Sequence, residues 1–150
     1  MTESYVEIPY RALYEYLFSY GGLSRFFREV IDNQQLMGTK CPKCGKVYCP
    51  PRTHCGECYS DTEWVPLPHT GTVEAATYIM YAPVRDPIHK YVDLPYVAAS
   101  IRLDGADTPL VSMVFIKDVV LGQVKRGMRV KAVFREKREG RLTDFYFVPA

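Results

Sequence analysis

Cys41-Pro-Lys-Cys44-Gly-Lys-Val-Tyr-Cys49-Pro-Pro-Arg52-Thr-His54-Cys55-Gly-Glu-Cys58 organises everything around it. Two C-x-x-C hooks stand ten residues apart. Two residues between paired thiolates let both sulfurs enter one tight turn, and two such turns complete a tetrahedron. Cys41, Cys44, Cys55 and Cys58 are therefore expected to form a closed, structural zinc site. The gap between hooks is shorter than the commonest ribbon spacing, but a pair of small knuckles tolerates it. Four protein ligands leave no coordination position for water or substrate, so the metal is expected to hold shape and do no chemistry.

Outward from the hooks, residues 39–68 are rich in Pro and Gly and poor in apolar side chains, so metal binding is expected to supply much of their folding energy. Residues 9–35 behave differently. Leu13, Tyr16, Leu17 and Tyr20, then Leu23, Phe26, Phe27, Val30 and Ile31, recur at helical spacing, and Gly21-Gly22 interrupts them. That pattern predicts two short helices, a hairpin. Its aromatic load (Tyr10, Tyr14, Tyr16, Phe18, Tyr20) either covers the chain's own core or forms a partner-binding face. Residues 72–81, 96–103, 110–116, 127–134 and 142–148 read as strands, separated by turn signals such as Asp104-Gly105, Gly122, Arg126-Gly127 and Glu139-Gly140. Five strands at this size predict a small closed barrel of the OB type. The expected fold is α+β: N-terminal helical hairpin at 1–38, rubredoxin-like zinc ribbon at 39–68, five-stranded OB-fold barrel at 69–150.

Bulk properties set the limits. The 150 residues are 47% hydrophobic and 24% charged, a globular composition. No apolar run reaches the about 18 residues a membrane helix needs. The start MTESYVEIPY lacks the basic and apolar regions of a signal peptide, so a cytoplasmic location is expected and thiols are expected to bind metal rather than pair. The net charge of +2 conceals an asymmetry: residues 117–141 carry nine Lys/Arg against three Asp/Glu. That region is an anion-facing candidate.

The order of hairpin, ribbon and barrel resembles the DUF35 family, the OB-fold acyl-CoA-associated zinc-ribbon proteins. The residues that carry the resemblance are GTKCPKCG at 38–45, CPPR at 49–52, CGEC at 55–58, Glu63-Trp64, GTV at 71–73, LPY at 94–96 and GMRV at 127–130. It covers nearly the whole chain. It implies a non-catalytic accessory subunit that docks on a thiolase-like enzyme, or on a related aldolase, and helps form its acyl-CoA channel. It implies CoA or acyl-CoA at the interface with that partner.

Under that implication the candidate CoA contacts are Arg52, between the hooks, and Arg85, His89 and Lys90, in the loop after the first barrel strand. A guanidinium clamps phosphate with two hydrogen bonds. Arg52 capping ribbon carbonyls, and a solvated 82–90 loop, are the plainer alternatives. Arg129, Lys131 and Arg135 read as the wet face of the barrel. Cys49 reads as a small buried residue, His54 as an exposed ribbon histidine and Trp64 as core between ribbon and barrel. No G-x-S-x-G, nucleotide-binding glycine loop or Ser/His/Asp set occurs, so no catalytic residue is assigned and the chain by itself is not expected to be an enzyme. Single-stranded nucleic-acid binding is the alternative, since ribbons and OB barrels both serve it.

Overall fold

The computed structural model describes residues 8–10, 14, 16–83 and 86–150. One α-helix lies among them, α1 at Ser24–Asn33, entered through a 3-10 turn at Gly21–Leu23. It buries Phe26 and Val30, four residues apart on one face, and places the Phe26 ring edge-on to Phe145 at 6.3 Å. It ends where Gln34 turns left-handed and the Gln35 amide donates to the Glu29 carbonyl at 3.1 Å. The second helix of the expected hairpin is therefore present. The expected first helix falls partly on residues 11–13 and 15, which lie outside the described residues; 16–20 are non-helical. Tyr10, Tyr14, Tyr16, Leu17 and Phe18 are exposed, so the described side chains of this segment bury little. Tyr20 reaches back, stacking on Phe27 at 4.1 Å.

The ribbon is a three-stranded antiparallel sheet. Its strands β1 (Met37–Lys40), β2 (Val47–Tyr48) and β3 (Glu63–Pro66) are ordered β2-β1-β3. The barrel follows: β4 (Thr70–Ile79), β5 (Tyr96–Leu103), β6 (Leu110–Val114), β7 (Arg129–Phe134) and β8 (Phe145–Pro149), closed in the order β4-β5-β6-β8-β7. This five-stranded closure is the expected OB barrel. Alternation is clean in β5, where Val97, Ala99, Ile101 and Leu103 point inward. Gly71 on β4 answers a close approach: a Cβ there would stand 2.6 Å from the Arg102 carbonyl oxygen.

Closure is uneven. β4 pairs β5 over eight registered residue pairs, whereas β6 meets β8 in parallel through one, Val114 with Phe147. Below that pair the seam between β6 and the 3-10 turn Leu142–Asp144 carries no ladder bonds.

One apolar cluster joins the parts: Phe26 and Val30 from α1, Leu36 and Cys49 around the ribbon, and Val73, Ile101, Phe145 and Phe147 from the barrel. Polar straps fix the ribbon on the barrel. Asp107 accepts from the Val47 amide at 2.7 Å and returns its own amide to the Val47 carbonyl at 2.8 Å. Thr108 Oγ1 accepts from the Cys49 amide at 2.8 Å. No helix among the described residues is long and apolar enough to cross a membrane.

Candidate functional site

Each hook folds into the same knuckle. The Gly45 amide donates to the Cys41 carbonyl at 2.9 Å, and the Cys41 amide donates to that of Lys46 at 2.9 Å. In the second knuckle Tyr59 and Ser60 take the places of Gly45 and Lys46, at 3.0 and 2.9 Å. Gly45 and Tyr59 both adopt positive φ, 77° and 54°. Glycine does so freely; Tyr59 is held there by the knuckle.

The two knuckles bring all four sulfurs within 4.8 Å of one another. A zinc ion at about 2.3 Å from each sulfur of a tetrahedron requires sulfur–sulfur edges of about 3.8 Å. The Cys44–Cys55 edge is 3.7 Å. The donor set therefore fits zinc in size as well as in chemistry. Backbone amides point at the sulfurs: Cys44 to Cys41 at 3.5 Å, and Glu57 and Cys58 to Cys55 at 3.5 and 3.4 Å. Side chains add to them, with Tyr48 OH 3.3 Å from Cys55 and Ser60 Oγ 3.4 Å from Cys41.

These donors make the sulfurs unequal. The Ser60 hydroxyl, then the Cys44 amide, bring the Cys41 thiol down to about 6. Tyr48 and the amides of Cys58 and Glu57 lower Cys55. Cys58, crowded by the sulfurs of Cys44, Cys41 and Cys55 and by desolvation, is pushed up to about 12. Four thiolates cannot share so small a volume without a cation; a divalent ion removes that cost. Beside the cluster, Lys46 and Arg52 both lie over the Tyr48 ring, at 5.8 and 5.3 Å. Lys46 also pairs with Glu57.

His54 is no ligand. Its Nε2 is 3.1 Å from Asp61 and its Nδ1 2.9 Å from the Thr53 hydroxyl. Cys49 is fully buried, and desolvation pushes its thiol up to about 12, which suits packing and not nucleophilic attack. Trp64 is half-buried against the central cluster, with the Arg25 guanidinium 5.6 Å from its ring.

Three of the four expected CoA contacts, Arg52, His89 and Lys90, are among the described residues. Arg85 lies outside the described residues. Arg52 sits on the ribbon, exposed and stacked on Tyr48, and its backbone carbonyl accepts from Thr39 Oγ1 at 2.9 Å. His89 and Lys90 close the 3-10 turn Pro87–Lys90, with His89 Nε2 donating to the Pro83 carbonyl at 2.9 Å. None of these three lines either of two cavities on the barrel. The larger, about 640 Å3, is bounded by Tyr91, Tyr96, Phe115, Lys117, Arg135 and Tyr146, among others. The smaller, about 160 Å3, lies in the β6–β8 seam. Arg135 belongs to both, which corrects its assignment to the wet face. It lies one residue beyond β7, where strand alternation no longer dictates direction, and it donates to the carbonyls of Thr143 at 2.7 Å and Tyr91 at 2.8 Å. Arg129, by contrast, is exposed and forms a two-bond fork on Asp104, at 2.7 and 2.6 Å.

A four-thiolate ribbon mounted on a five-stranded OB barrel defines the class of zinc-ribbon OB-fold proteins. Family models agree in both parts: residues 28–65 match the ChsH2 rubredoxin-like zinc ribbon domain and residues 64–135 the ChsH2 C-terminal OB-fold domain. A DUF35 domain-containing scaffold protein of Methanocaldococcus jannaschii is 32% identical over 77% of this chain and 78% of its own length. Its namesake from Methanothermobacter thermautotrophicus is 28% identical over 77% and 83%. The chain belongs to the DUF35 family. Among solved structures, the Ltp2-ChsH2(DUF35) aldolase shares the fold at a TM-score of 0.62 and 24% identity, covering 84% of this chain and 93% of that one. A DUF35 protein of unknown function from Sulfolobus solfataricus shares it at 0.60 and 22%, covering 87% of each.

Proposed function

We propose that this chain is a zinc-binding scaffold subunit without catalysis of its own, docking on a thiolase-like enzyme and helping to form that enzyme's acyl-CoA channel in acyl-CoA metabolism. The observation that carries the reading is the metal centre. Four thiolates close its coordination sphere, and the fifth cysteine is buried with its thiol pushed up to about 12. What remains is a rigid ribbon strapped to a barrel, a shape suited to holding another protein. The names of the relatives, scaffold proteins, support it, as does a fold neighbour whose name joins a DUF35 chain to a second component in an aldolase.

The exposed aromatics Tyr10, Tyr14, Tyr16 and Phe18 supply the apolar, low-entropy surface that protein interfaces favour. Arg52, Arg85, His89 and Lys90 remain the proposed CoA contacts, completed by a partner rather than by this chain. Nucleic-acid binding is the weaker reading. On the barrel strands Arg102 pairs with Glu74 at 3.0 Å and Arg129 with Asp104 at 2.6 Å, so these cations are already neutralised.

Affinity capture of the tagged full-length chain from its native host, with mass spectrometry of co-purifying proteins, tests this. A thiolase-like protein in near-equal amount is expected. Nucleic-acid machinery in its place, or a chain recovered alone, overturns it.

A further inference from the structure

The two hooks are tied to each other through hydroxyls, and each tie crosses from one half of the ribbon to the other. Tyr48, on β2 beyond the first hook, places its OH 3.3 Å from Cys55 Sγ in the second hook. Ser60, beyond the second hook, places its Oγ 3.4 Å from Cys41 Sγ in the first. A metal-bound thiolate has no proton to give, so in both pairs the hydroxyl donates. The Tyr48 oxygen also accepts from the Gly56 amide at 3.2 Å, which leaves its own proton for the sulfur.

The surroundings of Tyr48 fix it for this role. It is 3% exposed and belongs to the small buried cluster of Cys41, Tyr48 and Cys55. Arg52 and Lys46 cover its ring. Arg52 is itself fixed, since its amide donates to Thr39 Oγ1 and its carbonyl accepts from that hydroxyl, both at 2.9 Å. Lys46 pairs with Glu57 of the second hook. A phenylalanine would fill the same volume and stack under the same two cations. A buried phenol oxygen is costly unless it is bonded, and its partners here are a ligand sulfur and the amide next to that ligand.

The four sulfurs divide accordingly. Cys41 and Cys55 are buried, and they collect hydroxyls and amides at 3.3–3.5 Å. Cys44 is exposed and Cys58 half-buried, and among the described residues no hydroxyl reaches either sulfur. Hydrogen bonds to a ligand set its direction and support its charge. We infer that Tyr48 and Ser60 are positioning residues for the metal. Their hydroxyls pin Cys55 and Cys41 as a preset half of the tetrahedron, so the ion is retained when a competing ligand approaches the outer pair, Cys44 and Cys58. Neither hydroxyl touches the metal; each acts through a sulfur. The inference rests on the zinc-binding part of the proposed function and is independent of docking.

The test uses the full-length chain, loaded with zinc or with cadmium as a spectroscopic substitute. Failure of the unaltered chain to give the cadmium NMR signal of four sulfur ligands overturns the zinc-binding reading, and the inference with it. Given that signal, Tyr48→Phe tests the inference alone, because it deletes one oxygen and keeps the ring. It should bind the same amount of metal, lose zinc to a chelator at least about tenfold faster and shift the cadmium signal. Ser60→Ala should act in the same direction more weakly, since Ser60 is half-buried and water can replace its hydroxyl. Ser60→Thr, which keeps a hydroxyl, should restore retention. If Tyr48→Phe does not load metal, the two Ser60 variants carry the same readouts. Zinc loss as slow as in the unaltered chain overturns the inference. So does faster loss with an unmoved cadmium signal, the mark of general loosening rather than of a changed ligand sulfur.

Discussion

Asp144 is the buried carboxylate at the centre of the β7–β8 turn, and replacing it gives the sharpest stability forecast. It is 2% exposed, and its Oδ2 accepts from three consecutive backbone amides: Glu139 at 2.9 Å, Gly140 at 2.7 Å and Arg141 at 2.9 Å. Those bonds shape the turn between β7 and β8. A hydrogen bond to a charged acceptor is worth about 1.5–3 kcal/mol net, and Asp144→Ala removes three at once. They share one oxygen, and solvent reaches the exposed Glu139 and Arg141, so the sum is discounted to about 3–4 kcal/mol. That is a large part of the roughly 5–15 kcal/mol that holds a domain folded. At roughly 2–4 °C per kcal/mol, the melting temperature should fall by about 10 °C. Asp144→Asn keeps an acceptor oxygen and should lose about half as much. Urea denaturation of the zinc-loaded protein, followed by tryptophan fluorescence and circular dichroism, measures both. A loss under about 0.5 kcal/mol for Asp144→Ala would show that the turn is held by other contacts.

Three further outcomes follow from the same geometry. Metal analysis should find one zinc per chain, and chelation should erase hydrogen-exchange protection from residues 41–60 while β4–β8 keep theirs, because the hooks' own buried cluster is only Cys41, Tyr48 and Cys55; protection unchanged by chelation contradicts this. Arg129, and next the Thr70 hydroxyl, hold the Asp104 carboxyl down to about 2 from an ordinary 3.8, so its stabilisation is complete above pH 4 and drains away as pH falls towards 2. With Asp104 partly solvated this amounts to about 1 kcal/mol at most, and Asp104→Asn should show a correspondingly flatter stability slope between pH 5 and 2, an equal slope counting against the fork. Cys49, its thiol pushed up to about 12 by burial, should escape iodoacetamide at pH 8 in the folded protein and react once unfolded, as read by peptide mass spectrometry; rapid labelling of the native chain would refute the packing role.

The metal centre and the barrel were legible in the sequence because both are written in local periodicity. Cysteine spacing fixes the knuckles before any tertiary contact forms, and the alternation in 96–103 and 129–134 survives in β5 and β7. Helix α1 was legible for the same reason, since Phe26 and Val30 repeat at one turn and find the barrel beneath them. The segment before Gly21 carries a similar aromatic pattern, yet its described residues are exposed. Periodicity says that a face exists, not that anything covers it. The 82–90 loop cations were chosen by charge, and charge carries no address: His89 turns back on the Pro83 carbonyl. Ser112 was invisible for another reason. A serine in a strand looks ordinary until closure of the barrel buries its hydroxyl without a hydrogen-bond partner among the described residues. Arg135 shares the parity of exposed Arg129 and Lys131, but β7 ends at Phe134, and the pattern ends with it.

The central claim is that this chain supports acyl-CoA chemistry without performing it. The direct measurement is acyl-CoA turnover by the zinc-loaded chain, by the thiolase-like partner proposed for it, and by the reconstituted pair. The account predicts no turnover by the chain alone and a higher kcat/KM for the pair than for the partner alone, lost when the ribbon is stripped of zinc. Turnover by the purified chain alone, or a partner indifferent to its presence, would contradict it.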